Sequence, residues 1–255
     1  MKQKRLNGTV ALVTGASSGI GAATAAALAA QGAAVALAAR RKNQLDTLAA
    51  SIREQGGTAL VLESDITDEQ QATDAVQRTV VELGRLDTLV NNAGVMLLGP
   101  AVGCAAVRVA ADGGADVLGF LYCAHAALPH LLRAAEDSPR RVADMVSISS
   151  TAGRFPRAGW AAYNATKHSV TGFSDALRQE VTRHHVRVSL VEPGAVQTEL
   201  ASHNRPEVWA TMQPQLEAME RLRAEDIADA VSYIVTRPRR VAVNEILVRP
   251  TEQEN

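Results

Sequence analysis

Thr9-Val10-Ala11-Leu12-Val13-Thr14-Gly15-Ala16-Ser17-Ser18-Gly19-Ile20-Gly21 begins as an apolar, β-prone run and ends in a turn carrying three glycines. The run through Thr14 has the length of a buried strand, and Gly21 leads into an alanine-rich stretch that continues as a helix to about Gln31. Small side chains let such a helix lie close to a sheet. A strand, a tight glycine turn and a helix in that order form the first half of a βαβ unit.

The same alternation repeats outward to the end of the chain. Ala34–Ala39, Thr58–Glu63, Thr88–Asn91, Val142–Ile148, Val186–Val191 and Glu245–Val248 read as six further strands. Helices are expected at Lys42–Gln55, Asp68–Leu83, Phe120–Ala135, Ala161–His184 and Ala224–Thr236. The expectation is an α/β fold: one doubly wound domain over residues 1–255, with a seven-stranded parallel sheet and helices on both faces. Residues 199–222, rich in Met, Trp and charge, are expected to form a substrate lid.

Composition excludes several functions. A net charge of −1 offers no long-range attraction for nucleic acid or an anionic membrane. No apolar run reads as a membrane span, and Met1-Lys2-Gln3-Lys4-Arg5 precedes no signal-type apolar stretch. Cys104 and Cys123 have neither metal nor redox spacing, so ordinary thiols in a reducing cytoplasm are expected, with no metal. His184, His185 and His203 lack a partner pattern and read as surface groups, and Arg237-Pro238-Arg239-Arg240 as a solvated turn.

The Gly15–Gly21 turn predicts a pyrophosphate site. Backbone N–H groups of Gly15, Ser17, Ser18, Gly19, Ile20 and Gly21 would cradle it at a helix N-terminus. The end of the second strand selects the nucleotide. An acid there would accept from a ribose 2′-hydroxyl, but Ala38-Ala39-Arg40-Arg41 offers two guanidiniums, which suit a 2′-phosphate. NADP(H) is therefore the expected cofactor. Asp65 and Ile66 follow the third strand, where the carboxylate would accept from the adenine amino group. Asn91-Asn92-Ala93-Gly94 ends the fourth, and Asn91, Ala93 and Gly94 would border the adenosine half.

Tyr163 and Lys167 are four apart near the start of a predicted helix and share a face. An ammonium beside a phenol favours phenolate, which suits proton transfer. Ser150 follows the fifth strand, placed to hold a substrate oxygen. YxxxK alone is common; the strand-end serine and the glycine turn, in this order, make it informative.

TGASSGIG, NNAG, SISS, YNATK and Pro193-Gly194 together resemble the short-chain dehydrogenase/reductase family over essentially the whole chain. The serine thirteen residues before the tyrosine matches that family and selects Ser150 over Ser149. The resemblance implies a Rossmann-type oxidoreductase with Tyr163 as acid/base, Lys167 as tyrosine tuner and ribose ligand, and Ser150 as carbonyl-oxygen partner. It also implies that Pro193, Gly194, Val196 and Thr198 frame the nicotinamide, and that the chain forms homotetramers or dimers. MLLGP, AARR, LRQEV and NEILVRPTEQ resemble the branch of NADP-dependent 3-hydroxy acid dehydrogenases and clavulanate dehydrogenase. The expected reaction is hydride transfer to or from the carbonyl carbon of a small polar aldehyde, ketone or hydroxy acid. The alternative from another class is an NADP(H)-binding sensor or scaffold with little turnover.

One position departs from the pattern. The family's fourth catalytic residue is an Asn, but none occurs from Val95 to Tyr163, and its place falls on Asp116. A carboxylate accepts from Lys167 or a water and cannot donate, so Asp116→Asn is expected to change rate more than stability. Just upstream, Val102–Gly114 carries three glycines where the family has a helix, each costing about 1 kcal/mol against Ala. A divergent loop and a shifted reading frame in GC-rich coding DNA both account for them.

Overall fold

The computed structural model describes residues 4–102 and 113–254. The glycine-rich stretch is therefore largely outside the described residues, as is Cys104. The elements run β1 (Val10–Thr14), α1 (Gly19–Ala30), β2 (Ala34–Ala39), α2 (Lys42–Glu54), β3 (Thr58–Glu63), α3 (Glu69–Leu83) and β4 (Thr88–Asn91). A π-helical turn at Gly114–Gly119 leads into α4 (Phe120–Asp137), β5 (Ala143–Ile148), α5 (Ala161–Val181) and β6 (Val186–Pro193). Helices α6 (Pro206–Glu217) and α7 (Ala224–Val235) precede β7 (Glu245–Val248).

All seven strands are parallel, in the order β3-β2-β1-β4-β5-β6-β7. The order reverses between β1 and β4. Chain from β1 departs toward β2 while chain from β4 departs toward β5, which opens a crevice above their carboxyl ends.

Each strand divides its side chains between two cores with a period of two. On β1, Ala11 and Val13 face one core while Leu12 faces the other; on β2, Val35 and Leu37 oppose Ala36 and Ala38. The first core is closed by α1, α2 and α7, through Leu28, Leu45, Ile227 and Val231. The second is closed by α3, α4 and α5, through Val76, Leu131 and Leu177. Burial on both faces is why these strands read as continuous apolar runs. Helix α3 starts where the Asp68 carboxylate accepts from Gln71 N–H at 2.9 Å and stops at Gly84, whose φ is 87°.

One apolar stretch is longer than sequence reading allows. Gly114–Asp137 is apolar enough to cross a bilayer by length and composition. Its residues Cys123, Ala124, Ala127 and Leu131 pack into the second core instead, as the helix of a layered α/β domain does. Burial raises the Cys123 thiol to about 12, so it is inert as a nucleophile. His184 and His185 lie exposed.

At the end of the sheet away from the crevice, Asp144 is fully buried on β5. Arg187 donates to it twice, Nε to Oδ1 at 2.7 Å and Nη2 to Oδ2 at 3.0 Å, and Arg140 Nη1 donates to Oδ2 at 3.1 Å. Arg187 also donates to the Val241 carbonyl at 2.7 Å, tying the approach to β7 down. Asp144→Ala strands two guanidiniums, one of them buried, and should cost about 3–5 kcal/mol. Urea unfolding measures this; a loss below about 1 kcal/mol would mean the network relaxes without its anion.

Candidate active site

The crevice is a cleft of about 700 Å³. Its floor is set by cross-links between the ends of β1 and β4. The Thr14 hydroxyl oxygen accepts from the N–H groups of Asn92 and Ala93, at 3.0 and 3.1 Å. In return the Asn92 amide donates to the carbonyls of Thr14 and Gly15, at 2.9 and 3.3 Å. Gly15 has φ 65°, and a Cβ on it would lie 2.8 Å from Ala93 Cα. Only glycine satisfies both demands.

Gly15, Ser17, Ser18, Gly19 and Ile20 line the cleft. Gly21 does not: it sits beneath, with Gly15 O and the Asn92 amide where a Cβ would go. Arg40, Arg41, Asp65 and Ile66 line the same cleft, as do Ala93, Gly94, Pro193, Gly194, Val196 and Thr198. Asn91 lies below the cleft, buried and outside its lining. Asp65 Oδ1 accepts from Thr67 N and Oγ1 at 3.0 and 2.8 Å, which fixes the carboxylate. A backbone cradle that admits no Cβ, followed by a helix N-terminus and two cleft-edge guanidiniums, fits a phosphorylated dinucleotide.

Ser150, Tyr163 and Lys167 converge on the other half of this cleft. Ser150 follows β5 and caps a short 3₁₀ turn, its hydroxyl oxygen accepting from Ala152 N–H at 3.1 Å. Ser149 is committed elsewhere, donating to the Lys167 carbonyl at 3.4 Å. Tyr163 and Lys167 stand one turn apart on α5, both buried, with Lys167 Nζ 5.5 Å from the phenol ring centre.

Asp116 lies beside them. Its side chain is fully buried, with Oδ1 2.6 Å from Lys167 Nζ and Oδ2 accepting from Val95 N–H at 2.8 Å. The carboxylate presses on Gly94, where a Cβ would meet Oδ1 at 2.6 Å. The last glycine of NNAG thus makes room for the residue that pairs with the lysine.

Residues 199–222 are rooted by a parallel bridge between Val196 and Leu222, with Gln197 N–H donating to Leu222 O at 2.8 Å. Met212, Gln215 and Leu216 of α6 line the cleft, and Met96, Leu98, Ala152 and Tyr163 form an apolar cluster with Leu200 and Val208.

The short chain dehydrogenase model matches residues 9–209. The chain belongs to that family. It is an oxidoreductase of the short-chain dehydrogenase type. It is 35% identical over 248 residues to glycine betaine reductase ATRR of Emericella nidulans, covering 97% of this chain. The match spans about a fifth (19%) of that relative's length. A metagenomic short-chain oxidoreductase in complex with NADP is 32% identical with a TM-score of 0.81, over 97% of this chain and 99% of that one. The closed form of serine dehydrogenase complexed with NADP+ is 28% identical with a TM-score of 0.87, over 97% of each chain.

Sequence reasoning about this dehydrogenase missed Asn92, which shapes the cradle, and Gln253, which accepts from Ala195 N–H at 2.8 Å behind the Pro193-Gly194 loop. Asn92 was visible inside NNAG. Gln253 carried no local signal, because only folding brings the C-terminal segment to β6.

The buried pair changes the expectation for Asp116. Asp116→Asn leaves Lys167 charged without its counter-ion, so stability should fall, by about 1–3 kcal/mol. The uncompensated ammonium also favours phenolate at Tyr163, so the pH–rate profile should move to lower pH. A melting curve and a kcat/KM profile check the two parts; unchanged curves would show that the pair governs neither.

Proposed function

We propose that this chain is an NADP(H)-dependent dehydrogenase/reductase that transfers a hydride between nicotinamide and the carbonyl or alcohol carbon of a small polar substrate. The observation that carries the reading is that Ser150, Tyr163 and Lys167 share one cleft with the glycine cradle and Arg40–Arg41. When bound, the nicotinamide supplies the hydride chemistry. The chain's residues do the rest. Ser150 holds the substrate oxygen, the Tyr163 hydroxyl delivers or removes its proton, and Lys167 holds the charge that favours phenolate. Lys167 donates to the Ile148 carbonyl at 3.4 Å, which anchors its ammonium in the site.

Two further guanidiniums, Arg157 and Arg221, line the cleft together with Phe155, Trp160 and Met219. They favour the hydroxy-acid or keto-acid end of the substrate range over a neutral aldehyde. A homo-oligomer acting in the cytoplasm, with neither nucleic acid nor membrane as partner, fits the family and the near-neutral charge.

The Asp116–Lys167 contact favours a second reading, an NADP(H)-binding sensor or scaffold of slow turnover, because a neutralised lysine assists Tyr163 less. Consumption of NADPH against a panel of small aldehydes, ketones and keto acids separates the two. Measurable turnover on any member upholds the enzyme; binding without turnover across the panel upholds the sensor. On the best substrate, Tyr163→Phe should retain NADPH binding and lose nearly all turnover. Near-normal turnover in that variant would remove Tyr163 from the proton-transfer role.

Cofactor choice gives a separate expectation. NADPH should bind at least about tenfold more tightly than NADH, roughly 1.4 kcal/mol, and Arg40→Ala should weaken NADPH far more than NADH. Fluorescence titration decides it, with equal affinities in the parent counting against the NADP(H) reading.

A further inference from the structure

Arg40 and Arg41 are equivalent in sequence but not in the folded chain. Arg40 is exposed at the cleft edge and makes no ion pair among the described residues. Arg41 is turned across the glycine turn. Its Nε and Nη2 donate to Ser17 Oγ at 3.1 and 3.0 Å, and Nη2 also donates to Ser18 Oγ at 2.6 Å. The remaining corner, Nη1, donates to Glu199 Oε2 at 2.8 Å. Glu199 is the first residue of the lid's 3₁₀ segment, and the preceding Thr198 packs its methyl against Gly19.

We propose that Glu199 is a cofactor-specificity residue: its carboxylate holds the Arg41 position that a ribose 2′-phosphate would take, so it competes with that phosphate and ties its binding to the root of the lid. This rests on the dinucleotide reading above. A carboxylate and a phosphate monoester both accept from a guanidinium fork; Nη2 serves the two serines and one Nη1 N–H serves Glu199, so a phosphate gains a two-pronged contact with Nη1 only when the carboxylate leaves. The serine hydroxyls keep Arg41 over the turn by neutral contacts, so the guanidinium stays in place when the carboxylate leaves. A phosphate arriving beside Glu199 also meets a like charge. Both effects penalise the phosphorylated dinucleotide and leave the unphosphorylated one untouched. The pair is about half exposed on each side (46% and 56%), which places the penalty in the range of surface ion pairs.

The test is a fluorescence titration of NADPH and NADH on the full chain and on Glu199→Gln, each alone and in an Arg41→Ala background. The quantity read is the ratio of the NADH to the NADPH dissociation constant. Glu199→Gln should raise this ratio about two- to fivefold by tightening NADPH, with NADH unchanged, and the gain should shrink to less than half once Arg41 is Ala. A ratio that stays level or falls in Glu199→Gln overturns the proposal, as does a gain that persists in full without Arg41. The parent's own ratio tests the cofactor reading separately. A parent without preference whose Glu199→Gln variant prefers NADPH would overturn the tenfold expectation and still uphold competition by Glu199.

Discussion

Four hydrogen bonds between Thr14, Gly15, Asn92 and Ala93 join the carboxyl ends of β1 and β4. These strands are neighbours in the sheet, yet their chains leave in opposite directions. Without cross-links the two ends would be free to splay, and the glycine turn would lose the backbone surface against which it is shaped. Gly15 is positioned over Ala93, and Gly21 over Gly15. The dinucleotide cradle is therefore a property of two strands far apart in sequence, held to one geometry by one hydroxyl and one amide.

The same coupling reaches the chemical half of the cleft. Gly94 continues from Ala93, and its missing side chain admits the Asp116 carboxylate, which in turn meets Lys167 on α5. β4, the π-helical turn and α5 thus meet at one buried ion pair. The pair has two consequences in tension. It fixes Lys167 one turn from Tyr163, and it offsets part of the lysine's positive charge, which under the proposed function favours phenolate. The two differ in kind: the first is a matter of position, the second of charge.

Charge is distributed differently at the cofactor edge. Arg41 is held by two serines and a glutamate, while Arg40 makes no ion pair among the described residues. The half-exposed Arg41–Glu199 pair is of the kind that contributes little to stability. Its interest lies in joining the Gly15–Gly21 turn to residues 199–222, which the Val196–Leu222 bridge and the apolar cluster around Tyr163 also tie down.

Local pattern determined the fold. Seven apolar runs alternating with amphipathic or alanine-rich segments admit a parallel sheet covered on both faces, and strands buried on both sides leave a signal that needs no partner to be read. Glycine spacing and the Ser150, Tyr163 and Lys167 positions were legible for the same reason, since each sits at a strand end or on one helix face. Helix α6 lay hidden within a segment read only as a lid, because its two prolines and exposed, mixed surface give a weak period. The separation of Arg40 from Arg41, the removal of Asn91 from the cleft lining, the Asp116–Lys167 pair and the arrival of Gln253 were decided by tertiary structure alone. Each depends on which side chain a distant strand or loop brings within about 3 Å, and no local periodicity encodes a contact made across the sheet.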